Sequence, residues 1–237
     1  MKDTVKPSVL KKKYGNEQVL VVPALSAAAI PDGFLFGITP LAKQLFKTAT
    51  TFVYRYSAEY NTALVQLIPY VIVTNAEQNK LYVTERIAGE ERLKTKLSLG
   101  AGGHVNPQDM SKDTMYKAAV RELNEELTVV LEEGTDLTVY GTVRDLQSDT
   151  REHLGLVYLA TAAKVKVKEK DTLRGQWMDI AGLVTNYSKF ESWARLVIDH
   201  LFVNVKEHHR LFQPLRLTEE GGRNYDTKRK ETFRKNS

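Results

Sequence analysis

Hydrophobic positions are densest between Val65 and Val73, a nearly continuous apolar run containing Pro69. Lys80-Leu81-Tyr82-Val83-Thr84 follows it after the turn Thr74-Asn75-Ala76, so the two segments predict a β-hairpin leading into the loop that holds Gly100 to Gly103. After that loop the period changes. Tyr116, Val120, Leu123 and Leu127 recur at i, i+4, i+7 and i+11, with Ala118 and Ala119 beside them. Together they predict an amphipathic helix capped by Asp113 or Thr114. Leu137 to Val143, Gly155 to Ala160, Ala163 to Val167 and a segment around Trp177 then read as strands. Phe190, Trp193, Leu196, Val197 and Leu201 mark an amphipathic closing helix over Tyr187 to Phe202. The order is β-β-loop-α-β-β-β, then helix.

Upstream of Leu64 the pattern weakens. Lys43 to Phe46 and Phe52 to Arg55 suggest mixed short elements around the turn signal Pro31-Asp32-Gly33. The chain therefore divides into an N-terminal extension (1–62), a main domain (63–202) and a basic C-terminal tail (203–237). The extension is expected to pack on the main domain or to form part of a homodimer contact.

Composition narrows the function classes. A hydrophobic content of 42% with 27% charged residues is that of an ordinary soluble globular protein. The absence of cysteine excludes disulfides, thiolate zinc sites and cysteine nucleophiles, and is compatible with a reducing cytoplasm. The net charge of +5 is concentrated at the ends: five Lys/Arg against two acids in residues 1–20, nine against five in 203–237. Such ends could bind nucleic acid, but solvated tails are the favoured reading. Lys11-Lys12-Lys13 followed by Val19 to Ile30 mimics a secretory signal. Pro23 interrupts the run, Glu17 stands between its basic and apolar parts, and the stretch is too short to span a bilayer. A cytoplasmic protein is expected.

The candidate chemistry lies in Arg121-Glu122-Leu123-Asn124-Glu125-Glu126. On a helix, positions 122, 125 and 126 project within about 100° of one another. Like charges at this spacing cost a few tenths of a kcal/mol each, so the cluster opposes its own helix unless a cation offsets it. Clustered carboxylates suit Mg²⁺ or Mn²⁺. A solvated acidic face is the plain alternative. The glycine loop Leu99-Gly100-Ala101-Gly102-Gly103-His104-Val105 weighs against it, because small residues let the backbone approach a ligand closely or reach φ > 0.

Loop and helix together, Gly103 to Val129, resemble a Nudix box, the metal-binding loop-helix of nucleoside diphosphate hydrolases. Gly103, Arg121, Glu122, Leu123, Glu125, Glu126 and Val129 match its pattern. Gly-Gly-His-Val-Asn is similar to the loop of a phosphoesterase-like, MutT-related branch. Three departures stand out. The box's first acid falls on Asp113, with seven residues between it and Arg121. That leaves nine residues rather than five after Gly103, and Thr128 replaces the terminal glycine.

The resemblance implies a Nudix-type α/β/α sandwich with a mixed β-sheet. It also implies a hydrolase that cleaves the pyrophosphate linkage of a nucleoside diphosphate joined to another moiety. By the same resemblance, Glu122, Glu125, Glu126 and the Gly103 carbonyl hold Mg²⁺ or Mn²⁺. Arg121 orients the carboxylates, sharing Asp113. The general base is either a box glutamate or an acidic residue in a later loop, for which Glu152 and Glu169 are candidates; Glu122, Glu125, Arg121 and Glu169 make up the expected catalytic set. His104 and His153 are candidates to face the substrate. The alternative is a non-catalytic Nudix-type protein that binds nucleotide or RNA, which would be expected to lose box glutamates that this chain retains. No proline lies between Pro107 and Pro214, which disfavours the ADP-ribose subgroup.

Overall fold

The computed structural model describes residues 7–59, 61–88, 96–168, 170–208 and 211–212. The expected hairpin is β4 (Leu64–Asn75) and β5 (Leu81–Arg86). β4 is buried on both faces, which is why it reads as a continuous apolar run. Its side chains alternate strictly. Val65, Leu67, Val71 and Val73 enter one core, and Ile68, Tyr70 and Ile72 enter the other.

The first core is closed by the acidic helix α5 (Thr114–Glu126) through Met115, Ala118, Ala119 and Leu123. The second is closed by α6 (Ile180–Thr185) and α7 (Ser192–His208), whose Trp193, Val197, Ile198 and Leu201 are buried. Helices on both faces of a mixed sheet give the α/β/α sandwich that the resemblance implied.

The extension contributes α1 (Pro7–Tyr14), β1 (Gln18–Pro23), α2 (Ala24–Ala27), β2 (Gly33–Phe36), α3 (Pro40–Thr48), β3 (Thr51–Tyr54) and α4 (Arg55–Ala58). Thr39 caps α3 by accepting the Ala42 N–H at 3.1 Å, with Pro40 in the first turn. The remaining strands are β6 (Leu97–Ser98), β7 (Gly100–Gly102), β8 (Leu127–Leu131), β9 (Thr138–Arg144), β10 (His153–Val167) and β11 (Leu173–Met178). Among the described residues all eleven strands join one sheet, with the path β11-β5-β4-β10-β9-β2.

The extension is therefore woven into that sheet. β1 pairs with β4 and β3, β2 pairs with β9, and Leu20, Val22, Leu45 and Phe46 complete the core above α5. Pro69 sits where the ladder along one side of β4 passes from β1 to β7, a place where a missing N–H is tolerated.

Three sequence expectations change. Gly155–Ala160 and Ala163–Val167 form one strand rather than two: β10 pairs with β9 over its first part and β8 over its second, with a register shift between Ala162 and Lys164. The sequence reading also missed β8. The closing helix starts at Ser192 after a short 3₁₀ turn, Tyr187–Lys189, and runs to His208, beyond residue 203 where the tail was expected to begin.

Candidate active site

The glycine loop is a strand laid tightly on β4. A Cβ on Gly100 would stand 2.7 Å from the Val71 carbonyl oxygen, and one on Gly102 would stand 2.6 Å from that of Pro69. Close approach, rather than the positive φ that glycine also permits, is the reason for these residues: among the described residues the left-handed glycines lie elsewhere, at Gly15, Gly33, Gly37 and Gly134. Gly103 follows β7 and faces α5. A Cβ there would fall 2.4–2.6 Å from the carboxylate atoms of Glu122.

Arg121 organises what surrounds this contact. Its Nε and Nη2 donate to the two oxygens of Asp109 at 3.0 and 2.8 Å, a bidentate fork. Nη2 also reaches the His104 carbonyl oxygen at 2.8 Å, while Nη1 donates to Glu122 at 2.8 Å and Glu125 at 3.1 Å. Asp109 is buried, and it accepts the Asn106 N–H at 2.9 Å as well. The guanidinium is held protonated chiefly by Asp109 and then by the two glutamates.

The acid that serves Arg121 is therefore Asp109, not Asp113. Asp113 is the residue preceding α5, eight positions before Arg121, which is about 12 Å along a helix axis and beyond a carboxylate's reach. The 3₁₀ turn Pro107–Asp109 instead folds the earlier acid back under the guanidinium. Five residues separate Gly103 from Asp109, the spacing of the family pattern, so the four extra residues fall between this acid and the helix. Thr128 also finds its explanation. At Leu127 the backbone turns straight to φ −127°, ψ 149° and enters β8, so no left-handed glycine is needed.

The box carboxylates differ in environment. Glu122 is largely enclosed, and burial raises its carboxyl pKa, with Arg121 opposing the rise. Glu125 is open to solvent. Glu126 lies 4.0 Å from Arg86 Nη2. A carboxylate enclosed at a glycine backbone, with a second beside it, offers oxygen ligands alone, and these suit a hard divalent cation. Alanine at position 103 is expected to displace Glu122 and weaken the Mg²⁺ dependence of turnover by about 10- to 100-fold. The thermal midpoint should barely move, since φ here is ordinary; a large drop in that midpoint with unchanged Mg²⁺ dependence would contradict the assignment.

The remaining candidates separate. His104 and His153 come together, with ring centroids 5.5 Å apart, and Glu59 joins them. The sequence reading did not single out Glu59. Among the described residues, these three are the group of histidine and carboxylate donors able to converge on one point; Glu122, Glu125 and Glu126 do not gather in that way. Glu152 is buried beside Arg151, 3.8 Å from its Nε. Glu169 lies outside the described residues.

Known proteins resemble this chain in sequence and in fold. The model of the NUDIX domain matches residues 66–201. Protein YmaB of Bacillus subtilis is 34% identical over 158 residues, which cover 62% of this chain and 76% of that protein. The crystal structure of Tm1382, described as a candidate Nudix hydrolase, superposes with a TM-score of 0.67 at 26% identity over 79% of this chain and 99% of the other. DR0079 from Deinococcus radiodurans has a TM-score of 0.51 at 14% identity, over 78% of this chain and 98% of its own, a likeness of fold alone.

Proposed function

Because the chain belongs to the Nudix family of pyrophosphohydrolases, we propose that it cleaves the P–O–P bridge of a nucleoside diphosphate joined to another moiety, with Mg²⁺ or Mn²⁺ bound at Glu122, Glu125, Glu126 and the Gly103 carbonyl. The observation that carries the reading is the Arg121 network: one guanidinium ties Asp109, the loop carbonyl of His104, Glu122 and Glu125 into a single unit. A bound divalent cation would neutralise the diphosphate and lower the pKa of water next to it.

The protein's own groups supply the positioning. Asp109 fixes the guanidinium, the guanidinium fixes Glu122 and Glu125, and β7 holds Gly103 against Glu122. Glu122 and Glu125, already tied to one guanidinium, need less rearrangement than free side chains, and holding charged groups in place is how such sites gain rate. Water adds to phosphorus, the bridging oxygen leaves with the second phosphate, and two phosphate-bearing products result.

The test is a panel of nucleoside diphosphate derivatives incubated with the full chain and Mg²⁺ or Mn²⁺, with products identified by mass. Release of a nucleoside monophosphate and the complementary phosphate is expected, and a chelator should abolish it. Tight binding of nucleotide or RNA without turnover under either ion would instead establish the non-catalytic alternative.

A further inference from the structure

We propose that Glu59, His104 and His153 form a second cation site, separate from the carboxylates of α5, that takes one transition-metal ion of the zinc class. The three donors come from segments distant in sequence. Glu59 ends α4 of the extension, His104 directly follows Gly103, and His153 opens β10. One ligand atom from each lies within 4.8 Å of the others. Two imidazoles and a carboxylate are a known three-residue zinc set that leaves a fourth position open.

Several observations point to an ion there. His104 is largely enclosed, and its Nε2 is buried with no hydrogen-bond partner among the described residues. A buried ring nitrogen left in this way costs free energy unless something binds it. Glu59 is oriented from behind: it accepts the Tyr14 hydroxyl at 3.2 Å and the Gln66 amide at 3.5 Å, and faces Arg55 Nε at 3.7 Å. Arg55 is the nearby cation that would oppose binding, but Glu17 also faces it at 3.1 Å, so two carboxylates are set against one guanidinium.

Donor chemistry distinguishes the two sites. Imidazole nitrogen favours zinc, nickel or copper, whereas the oxygen-only set on α5 favours magnesium or manganese. An ion at Glu59 ties the extension to the residue whose carbonyl accepts Arg121 Nη2. The site is thus a clamp on the loop rather than a second reaction centre. It assigns His104 and His153 to an ion instead of to substrate.

The experiment uses the full chain, stripped with chelator and then held in excess Mg²⁺ to saturate the α5 carboxylates. Zn²⁺ is added and followed by calorimetry; Co²⁺ is added in parallel and followed by its visible absorption, which reports nitrogen ligation. One Zn²⁺ per chain is expected. His104→Gln and His153→Gln should each weaken it by about tenfold or more, and Glu59→Gln should do so without touching either ring. Glu122→Gln should leave Zn²⁺ affinity unchanged, which separates this site from the proposed hydrolytic one. Far-ultraviolet dichroism of the stripped variants identifies any that fail to fold, and the remaining variants decide. Absence of stoichiometric Zn²⁺ binding would overturn the proposal. So would displacement of Zn²⁺ by Mg²⁺, or binding that disappears with Glu122→Gln and ignores the histidines.

Discussion

Glu122→Gln is expected to lower kcat by at least about a hundredfold while leaving the thermal midpoint of the metal-free protein unchanged or slightly higher. The two effects have one origin. Burial lifts the carboxyl of Glu122 above its ordinary value of 4.5, so in the folded protein the charged form is disfavoured. A group whose folded pKa is raised helps stability below its unfolded pKa, and the help is lost as pH rises through the folded value. At neutral pH the wild type therefore carries a charge that opposes folding, and the amide removes it. Scanning calorimetry at pH 4 and pH 7 without metal should show the wild type losing stability over that interval more than the variant. Added Mg²⁺ should then stabilise the wild type and have little effect on Glu122→Gln. A variant that unfolds several degrees earlier yet keeps its turnover would show that Glu122 is a structural residue.

Asp109→Ala is expected to be the more damaging change to the fold, costing about 3–5 kcal/mol, because it leaves an enclosed guanidinium without its bidentate partner. It also removes the acceptor for the Asn106 N–H, so the turn that carries the loop loses an anchor. For a chain of this size the thermal midpoint should fall by roughly 10 °C, and activity should fall with it. Asp113→Ala is the informative comparison. The guanidinium is gripped by Asp109 and not by Asp113, so loss of Asp113 should cost less than loss of Asp109. Equal damage from the two substitutions, in chemical denaturation and in turnover, would refute the pairing of Asp109 with Arg121.

The contrast between these two aspartates shows where sequence reading works. The hairpin and the acidic helix were legible because β4 is almost continuously apolar from Val65 to Val73 and α5 keeps a 3.6-residue period over a single core face. The loop was harder. Counting back from Arg121 selects Asp113, and counting forward from Gly103 selects Asp109; only the 3₁₀ turn decides between them. The purpose of Gly100 and Gly102 was also hidden, since it depends on how near β4 lies and not on the local chain. The extension resisted because its strands are four to six residues long and their partners are remote in sequence. Glu59 left no trace at all: a carboxylate ending a four-residue helix has no period around it, and its companions lie far along the chain.

The parallel ladder between β4 and β10, running from Gln66 opposite His153 to Asn75 opposite Ala162, sets the order of assembly. During synthesis the hairpin, the glycine loop and the acidic helix emerge well before β10 exists. Pairings between residues so far apart are slow, because the loop between them must close before any contact rewards it. A nascent chain can hold Arg121 and Asp109 early, yet the helix has no finished floor to rest on until the late strand docks. The floor beneath α5, to which Leu154, Leu156 and Tyr158 of β10 belong, is therefore completed only once that distant segment has been made.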